Sequence, residues 1–322
     1  MSIVRWLRGA LALALCVVPA GAALAQGAWP TKPVRLIVNF GPGGSTDNAL
    51  RPVAERLSRN LGQQFVIENR GGASGAIGIE AAVKSAPDGY TFVATPALTV
   101  AILPNLRKTP YDPFKDLVPV SYFCDGTLLL AVHPSVPANS VKDLVEYGKK
   151  NPGKLSWGTA GVGSMGHMMH EVFRHIAGLV ILHVPYRGGG ESLGGFLANE
   201  VQLYADPNTM PHVDAGKVKL FAVVDRARHP NHPNVPLLKE IYPEIDFVAW
   251  FGLFAPAGTP QPIVKKMSEE MAKIARDPEL KAFLLKFALT PYPGTPEELG
   301  TVLRKDYDRF GKLIADLKLR TD

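Results

Sequence analysis

Two segments, 121 residues apart (155 − 34), repeat one construction: an apolar strand, a glycine loop and a helix start. They are Val34–Asp47, VRLIVNFGPGGSTD, and Leu155–His167, LSWGTAGVGSMGH. A glycine loop ahead of a helix exposes backbone N–H groups that have no intrahelical partner, and the helix dipole favours an anion there. In an open α/β sheet, ligands bind beyond the carboxyl ends of the strands. Two such ends facing across a cleft would grip one small molecule. Each loop alone has a plainer reading, a tight turn closed by a cap, for which Ser45, Thr46 and Asp47 are suitable residues.

The rest of the chain fits that frame. Val34–Asn39, Phe65–Asn69 and Thr91–Ala94 read as strands, with helices Asn48–Leu61 and Ile77–Ser85 between them. This β-α-β-α-β order predicts a mostly parallel sheet covered by helices. A proline-rich stretch leads to the apolar run Leu128–Val132. Beyond it Ser140 caps a helix to Lys150, Leu155–Gly158 is a strand, and Ser164–Ala177 is a helix. Ile181–Val184 and Leu220–Val224 are further strands. Phe247–Phe254 is apolar, Thr259 and Pro260 open a helix, and Thr295 to Glu298 open the last.

The N-terminus reads as a secretory leader, residues 1–25: Arg5 and Arg8, an apolar stretch from Ala10 to Val18, then Ala23-Leu24-Ala25 with cleavage after Ala25. Cys16 follows Leu15 and makes no lipobox. Removing the two leader arginines lowers the net charge from +6 to +4 (6 − 2). The remaining basic residues are interspersed with acidic ones, so nucleic acid is not a predicted partner. With 46% hydrophobic and 20% charged residues, disorder is excluded. Of the two cysteines only Cys124 survives cleavage, so no internal disulfide forms. It lies in an apolar run and is expected to be buried.

Enzyme and cofactor motifs fail on spacing. Thr46 stands at the third glycine position of a dinucleotide fingerprint, no Gly-Lys-Ser/Thr triplet occurs, and Ser164 is not in a G-x-S-x-G elbow. His167 and His170 can share a helix face, with no carboxylate or cysteine completing a ligand set. They are expected at the surface or the cleft edge, and neither metal nor cofactor is predicted. Tyr186 and Arg187 follow a strand and would reach the cleft rim, where Arg187 either holds a carboxylate bidentately or is an ordinary surface arginine. Asp206 either accepts from a ligand donor or caps the next turn. Trp157, Trp250 and Phe251 are expected in core or hinge packing.

The chain resembles the extracytoplasmic receptors of tripartite tricarboxylate transporters, the Bug or TctC type. The resemblance rests on Trp29 to Asp47, Val66-Ile67-Glu68-Asn69-Arg70, Gly75-Ala76-Ile77-Gly78, Ala86 to Thr91, His183 to Gly188 and Trp250 to Pro260. It implies an α/β, two-lobed periplasmic-binding-protein fold of type II. Each lobe would be a mixed, mostly parallel sheet flanked by helices, with a hinge and an interlobe cleft. The expected lobes are residues 28–123 plus 253–322, and 124–252. It also implies that Phe40, Gly41, Gly43, Gly44, Ser45, Thr46 and Asp47 form one cradle for the ligand. Thr159, Ala160, Gly163 and Ser164 form the second, and Thr95, Tyr186 and Asp206 take further cleft positions, with Arg187 beside them. The function so implied is a monomeric periplasmic receptor, not an enzyme, that passes a small carboxylated solute to a small and a large membrane subunit. A periplasmic hydrolase or lyase acting on a carboxylated substrate, with Ser164 beside His167, is the competing expectation.

Overall fold

The structure, a computed structural model, describes residues 29–316 and Lys318. The expected leader, its cleavage site and Cys16 lie outside the described residues. Among the described residues no helix is long and apolar enough to cross a membrane.

The first β-α-β-α-β unit forms as its pattern predicts. Strand β1 (Val34–Val38) is followed by helix α1 (Ser45–Leu61), β2 (Phe65–Asn69), α2 (Ala76–Val83) and β3 (Thr91–Pro96). Both β2 and β3 pair with β1 in parallel. Val34, Leu36, Ile37 and Val38 are buried, as a strand covered on both faces requires. A helical turn from Leu98 leads into α3 (Leu103–Leu106), and the chain then runs through the long strand β4 (Leu117–Gly126).

Only Thr127 separates β4 from β5 (Leu128–Val132), yet the two strands belong to different sheets. The second sheet continues through α4 (Val141–Lys150), β6 (Leu155–Thr159), α5 (Met165–Ala177), β7 (Ile181–Pro185), α6 (Gly189–Leu197), β8 (Leu203–Tyr204), α7 (Met210–Asp214) and β9 (Lys219–Val224). Residues 225–248 carry the chain back to β10 (Ala249–Pro256). Helices α8 (Gln261–Ala275) and α9 (Pro278–Leu285), strand β11 (Leu289–Pro291) and helix α10 (Pro296–Asp316) complete the order.

The sheets run β11-β4-β10-β3-β1-β2 and β7-β6-β8-β5-β9. Among the named strands, parallel pairing is confined to those joined by crossover helices and to β6 with β8. The strands that bring the chain across, β4, β5, β9 and β10, pair antiparallel with their neighbours. The sequence period shows that a strand exists but not its direction, so the antiparallel share was not visible in it. The expected divisions after Phe123 and Gly252 fall inside β4 and β10, whose residues to Gly126 and from Ala249 pair in the first sheet. The crossing points are tied: the Thr127 hydroxyl donates to Asp225. Cys124 is fully buried in β4, and burial pushes its thiol well up.

Local signals behave largely as read. Ser140 caps α4 through the Asp143 amide, and Thr295 and Glu298 form a reciprocal capping box at α10. Thr259 does not cap α8. Its hydroxyl donates to the Pro256 carbonyl, and the helix starts at Gln261 with Pro260 before it.

Candidate functional site

Phe40 to Gly44 link β1 to α1. Gly43 has φ +76°, a conformation that a residue with a Cβ rarely takes. Its amide donates to Asp47 Oδ2 at 3.0 Å. The Asp47 carboxylate is buried and also receives Arg51 Nε at 2.8 Å and Asn69 Nδ2 at 2.9 Å. Asn69 in turn donates to the Phe40 carbonyl at 3.0 Å. Asp47 therefore braces the loop from behind. No side chain caps α1, which leaves the Ser45 hydroxyl free of its own helix.

The second loop links β6 to α5. Ser164 is the N-cap, accepting from the His167 amide at 3.1 Å. Gly163 has φ +83° and donates its amide to His167 Nδ1 at 2.9 Å. The Thr159 hydroxyl contacts His183 Nε2 at 2.7 Å and accepts from the Gly161 amide at 3.3 Å.

The two loops meet at a cavity of about 60 Å³, several times the volume one water centre needs. Phe40, Gly44, Ser45 and Thr46 line it from the first loop, and Ala160 and Ser164 from the second. Pro96, Leu98, Leu128, Met165 and Phe251 supply apolar wall. Asp206 faces it beside Gly189, the first residue of α6. No lysine, arginine or histidine lines it among the described residues. Helices α1, α5 and α6 thus point their N-termini at one small space. Ser45 donates across it to Asp206, which also accepts the Asn208 amide at 3.1 Å. Burial raises the Asp206 carboxyl above the ordinary carboxylate value, opposed by those two hydrogen bonds.

The other expected residues lie around the cavity. Thr95 is fully buried behind Pro96, accepting from Asn39 Nδ2 at 2.9 Å. Asp47, Thr159 and Gly163 hold the loops' backbones. Gly41, Tyr186 and Arg187 line a separate open depression with Gly72, Ser74 and Gly161. There the Tyr186 hydroxyl donates to Glu200 at 3.1 Å, and the Arg187 side chain is exposed. Sequence reasoning missed Gly189, Met165, Leu98 and Leu128, and placed Phe251 in packing alone. The triple glycine 188–190 opens the third helix but carries no local helix signal.

His167 and His170 are not at the surface. His167 and His170 are buried with Glu171, and His183 stacks on His167 at 4.1 Å between ring centroids. Glu171 supplies the carboxylate that the sequence reading did not find. Its Oε1 lies 3.6 Å from His167 Nε2 and 3.1 Å from His170 Nδ1, and Arg174 Nε donates to its Oε2 at 3.0 Å. Burial alone would raise the Glu171 carboxyl, but hydrogen bonds from His167, His170 and Arg174 outweigh it and hold it well below the carboxylate range. Burial, with the neighbouring histidines, pushes His183 down to about 3. These three donors, His167, His170 and Glu171, lie within 4.8 Å of one another. His167 Nδ1 accepts the Gly163 amide, which leaves its Nε2 on the side of Glu171. Nor do Ser164 and His167 form a nucleophile and base: Ser164 engages the His167 backbone, and the imidazole engages Gly163.

A two-sheet α/β fold with helix N-termini converging between the sheets defines a solute-binding receptor. Residues 49–319 match the family described as "Tripartite tricarboxylate transporter family receptor". The periplasmic binding protein BugD is similar in structure, with TM-score 0.87 and 30% identity over 91% of this chain and 100% of that one. So is an R. palustris protein solved with adipate, with TM-score 0.87 and 33% identity over 91% and 99%. MatC from Rhodopseudomonas palustris, solved with bound malate, has TM-score 0.84 and 28% identity over 89% and 100%. The chain belongs to the tripartite tricarboxylate transporter receptor family, of the Bug type. It is a periplasmic solute-binding receptor and not an enzyme.

Proposed function

We propose that the cavity between the two sheets captures a small carboxylated solute, with a carboxylate seated on the first-turn amides of α1 and α5 and on the Ser164 hydroxyl. The observation that carries this reading is the convergence of helix N-termini on a space that no cationic side chain lines. Fixed amide dipoles then supply the countercharge. Ser45, Thr46, Ala160 and Ser164 are the proposed contacts, with Asp206 receiving a donor of the solute or of the closing loop. The residues outside the cavity, Gly41, Gly43, Asp47, Thr95, Thr159, Gly163, Tyr186 and Arg187, shape the loops or the rim.

In this reading residues 29–126 with 249–316 form one lobe and 127–248 the other, hinged at Thr127 and at 225–248. The protein is exported by the 1–25 leader, acts as a monomer, and delivers its solute to a small and a large membrane subunit. Adipate and malate, the ligands of two relatives, are the first solutes to try. In a thermal-shift screen of carboxylates on the mature protein, a solute at a hundred times its Kd adds about 2.7 kcal/mol of stability. A panel in which only uncharged solutes shift the melting curve would refute the proposal.

A further inference from the structure

The cavity is lined by one charged side chain, and its sign is wrong for an anion site. Asp206 faces the space, and no lysine, arginine or histidine lines it among the described residues. Other acidic groups near the two loops and the crossing are matched: Asp47 pairs with Arg51, Glu171 with Arg174 and Asp125 with Arg226. Asp206 has no such partner among the described residues. Its Oδ1 takes both of its side-chain hydrogen bonds, from the Ser45 hydroxyl and, at 3.1 Å, from the Asn208 amide. Oδ2 takes none. It stands beside the start of α6, where a Cβ on Gly189 would lie 3.5 Å from it, and Gly189 lines the same cavity. Burial raises the carboxyl, and no basic side chain offsets that.

A solute carboxylate closed into this space beside an unpaired Asp206 would meet like charge where little water screens it. A buried charge is tolerated when it is paired, so the cation that the protein does not supply has to arrive with the solute. We propose that Asp206 is the specificity residue of the cavity, taking the ammonium of an α-amino acid on its free Oδ2 while the acid's carboxylate sits on the α1 and α5 amides. The two charges of such a zwitterion are joined through one carbon, and the two acceptor sites are as closely linked. Ser45 stands in the first turn of α1, and its hydroxyl reaches Asp206 directly. The amino acid's side chain then falls on the apolar wall of Leu98, Leu128, Met165 and Phe251. Those side chains offer a second carboxylate no donor, so a dicarboxylate must place its far end either there or against Asp206. A hydroxyl in place of the ammonium can donate to Oδ2 but brings no charge, and charge-assisted hydrogen bonds are the stronger ones.

This assignment rests on the carboxylate-receptor reading, and matched ligands keep the two failures apart. Calorimetry on the mature protein takes L-alanine, L-valine, L-leucine, L-methionine and L-phenylalanine, each beside its α-hydroxy acid and its amide. The hydroxy acid keeps the carboxylate and loses the ammonium; the amide keeps the ammonium and loses the carboxylate. At least one amino acid should bind, with its hydroxy acid about tenfold to a hundredfold weaker. Adipate and malate should also bind more weakly than that amino acid. Asp206→Asn keeps an acceptor for Ser45 and removes the charge, so the ratio of amino-acid to hydroxy-acid affinity should fall to within about threefold of one. That ratio cancels any change in closure of the cleft, which serves both ligands alike, and Ser45→Ala should leave it near the wild-type value. Should Asp206→Asn not fold, the wild-type ratio decides alone. Hydroxy acids or dicarboxylates that bind as well as every amino acid, or a ratio unchanged in folded Asp206→Asn, would overturn the role of Asp206 and leave the carboxylate reading standing. Amides that bind as tightly as the amino acids would sink that reading, and the proposal with it.

Discussion

Ser45→Ala isolates closure of the cleft from folding of the lobes. Ser45 lies on α1, above the first sheet, and Asp206 follows β8 of the second, so their hydrogen bond spans the cleft. The hydroxyl does not cap its own helix, whose N-cap Gly44 has no side-chain bond, so its loss costs α1 almost nothing. Asp206 keeps the Asn208 amide, so it is not stranded without a partner. What disappears is one charge-assisted hydrogen bond made only when the halves approach, worth about 1.5–3 kcal/mol net. A solute that binds the closed form must supply that difference itself, so its affinity should fall roughly 10- to 150-fold. Calorimetry with the solute from the carboxylate screen measures the loss. Small-angle scattering should show less compaction at equal solute, and the ligand-free melting temperature should stay near wild type. Unchanged affinity with unchanged compaction would show that the Ser45–Asp206 contact does not latch the cleft.

Ser164→Ala should cost about 1 kcal/mol of stability by removing the α5 cap, and weaken carboxylate binding about tenfold by removing a donor; a lowered melting temperature with intact affinity makes Ser164 a cap only. Gly78→Ala should be severely destabilising, because a Cβ there would stand 2.5 Å from Asn39 Cβ and 2.8 Å from the Arg70 carbonyl oxygen. A wild-type melting curve for that variant would contradict the close packing of Gly78 against Asn39. Because the Glu171 carboxyl is depressed in the folded state, its stabilisation is present above its ordinary 4.5 and is lost as pH falls below it. The melting-temperature difference between wild type and Glu171→Gln should therefore shrink on acidification below 4.5, and a constant difference across that range would count against it. Arg51→Ala should return the charge of Asp47 to the cradle and weaken anion binding most at low salt; equal loss at low and high ionic strength would mean that loop geometry, not charge, was damaged.

The two glycine loops were legible because everything that makes them is local: an apolar strand, glycines able to take positive φ, and a polar residue at the helix start. The third helix N-terminus was not. Gly188, Gly189 and Gly190, with Gly194 and Gly195, give α6 a poor intrinsic preference for helix. It is held by tertiary bonds instead: the Tyr204 hydroxyl and Asn208 both donate to the Gly189 carbonyl, at 2.9 and 3.1 Å. That early start also explains Tyr186 and Arg187. With β7 ending at Pro185 and α6 beginning at Gly189, their side chains turn to the outer depression and not into the cavity. The apolar wall was hidden for a different reason. Leu98, Leu128 and Phe251 come from three distant segments, a helical turn and two strands, and which sheet each strand joins depends on where the chain crosses at Thr127 and returns at Ala249.

A cradle built from backbone amides places unusual demands on the residues behind it. A lysine or arginine can follow a solute by rotating, but an amide N–H is fixed by its loop, so complementarity has to be set before the solute arrives. Each loop accordingly has one amide held from the rear by a side chain that does not line the cavity: Gly43 by Asp47, Gly163 by His167. The two braces differ in kind. Asp47 is paired with Arg51 and hydrogen-bonded by Asn69. His167 sits among other imidazoles and Glu171.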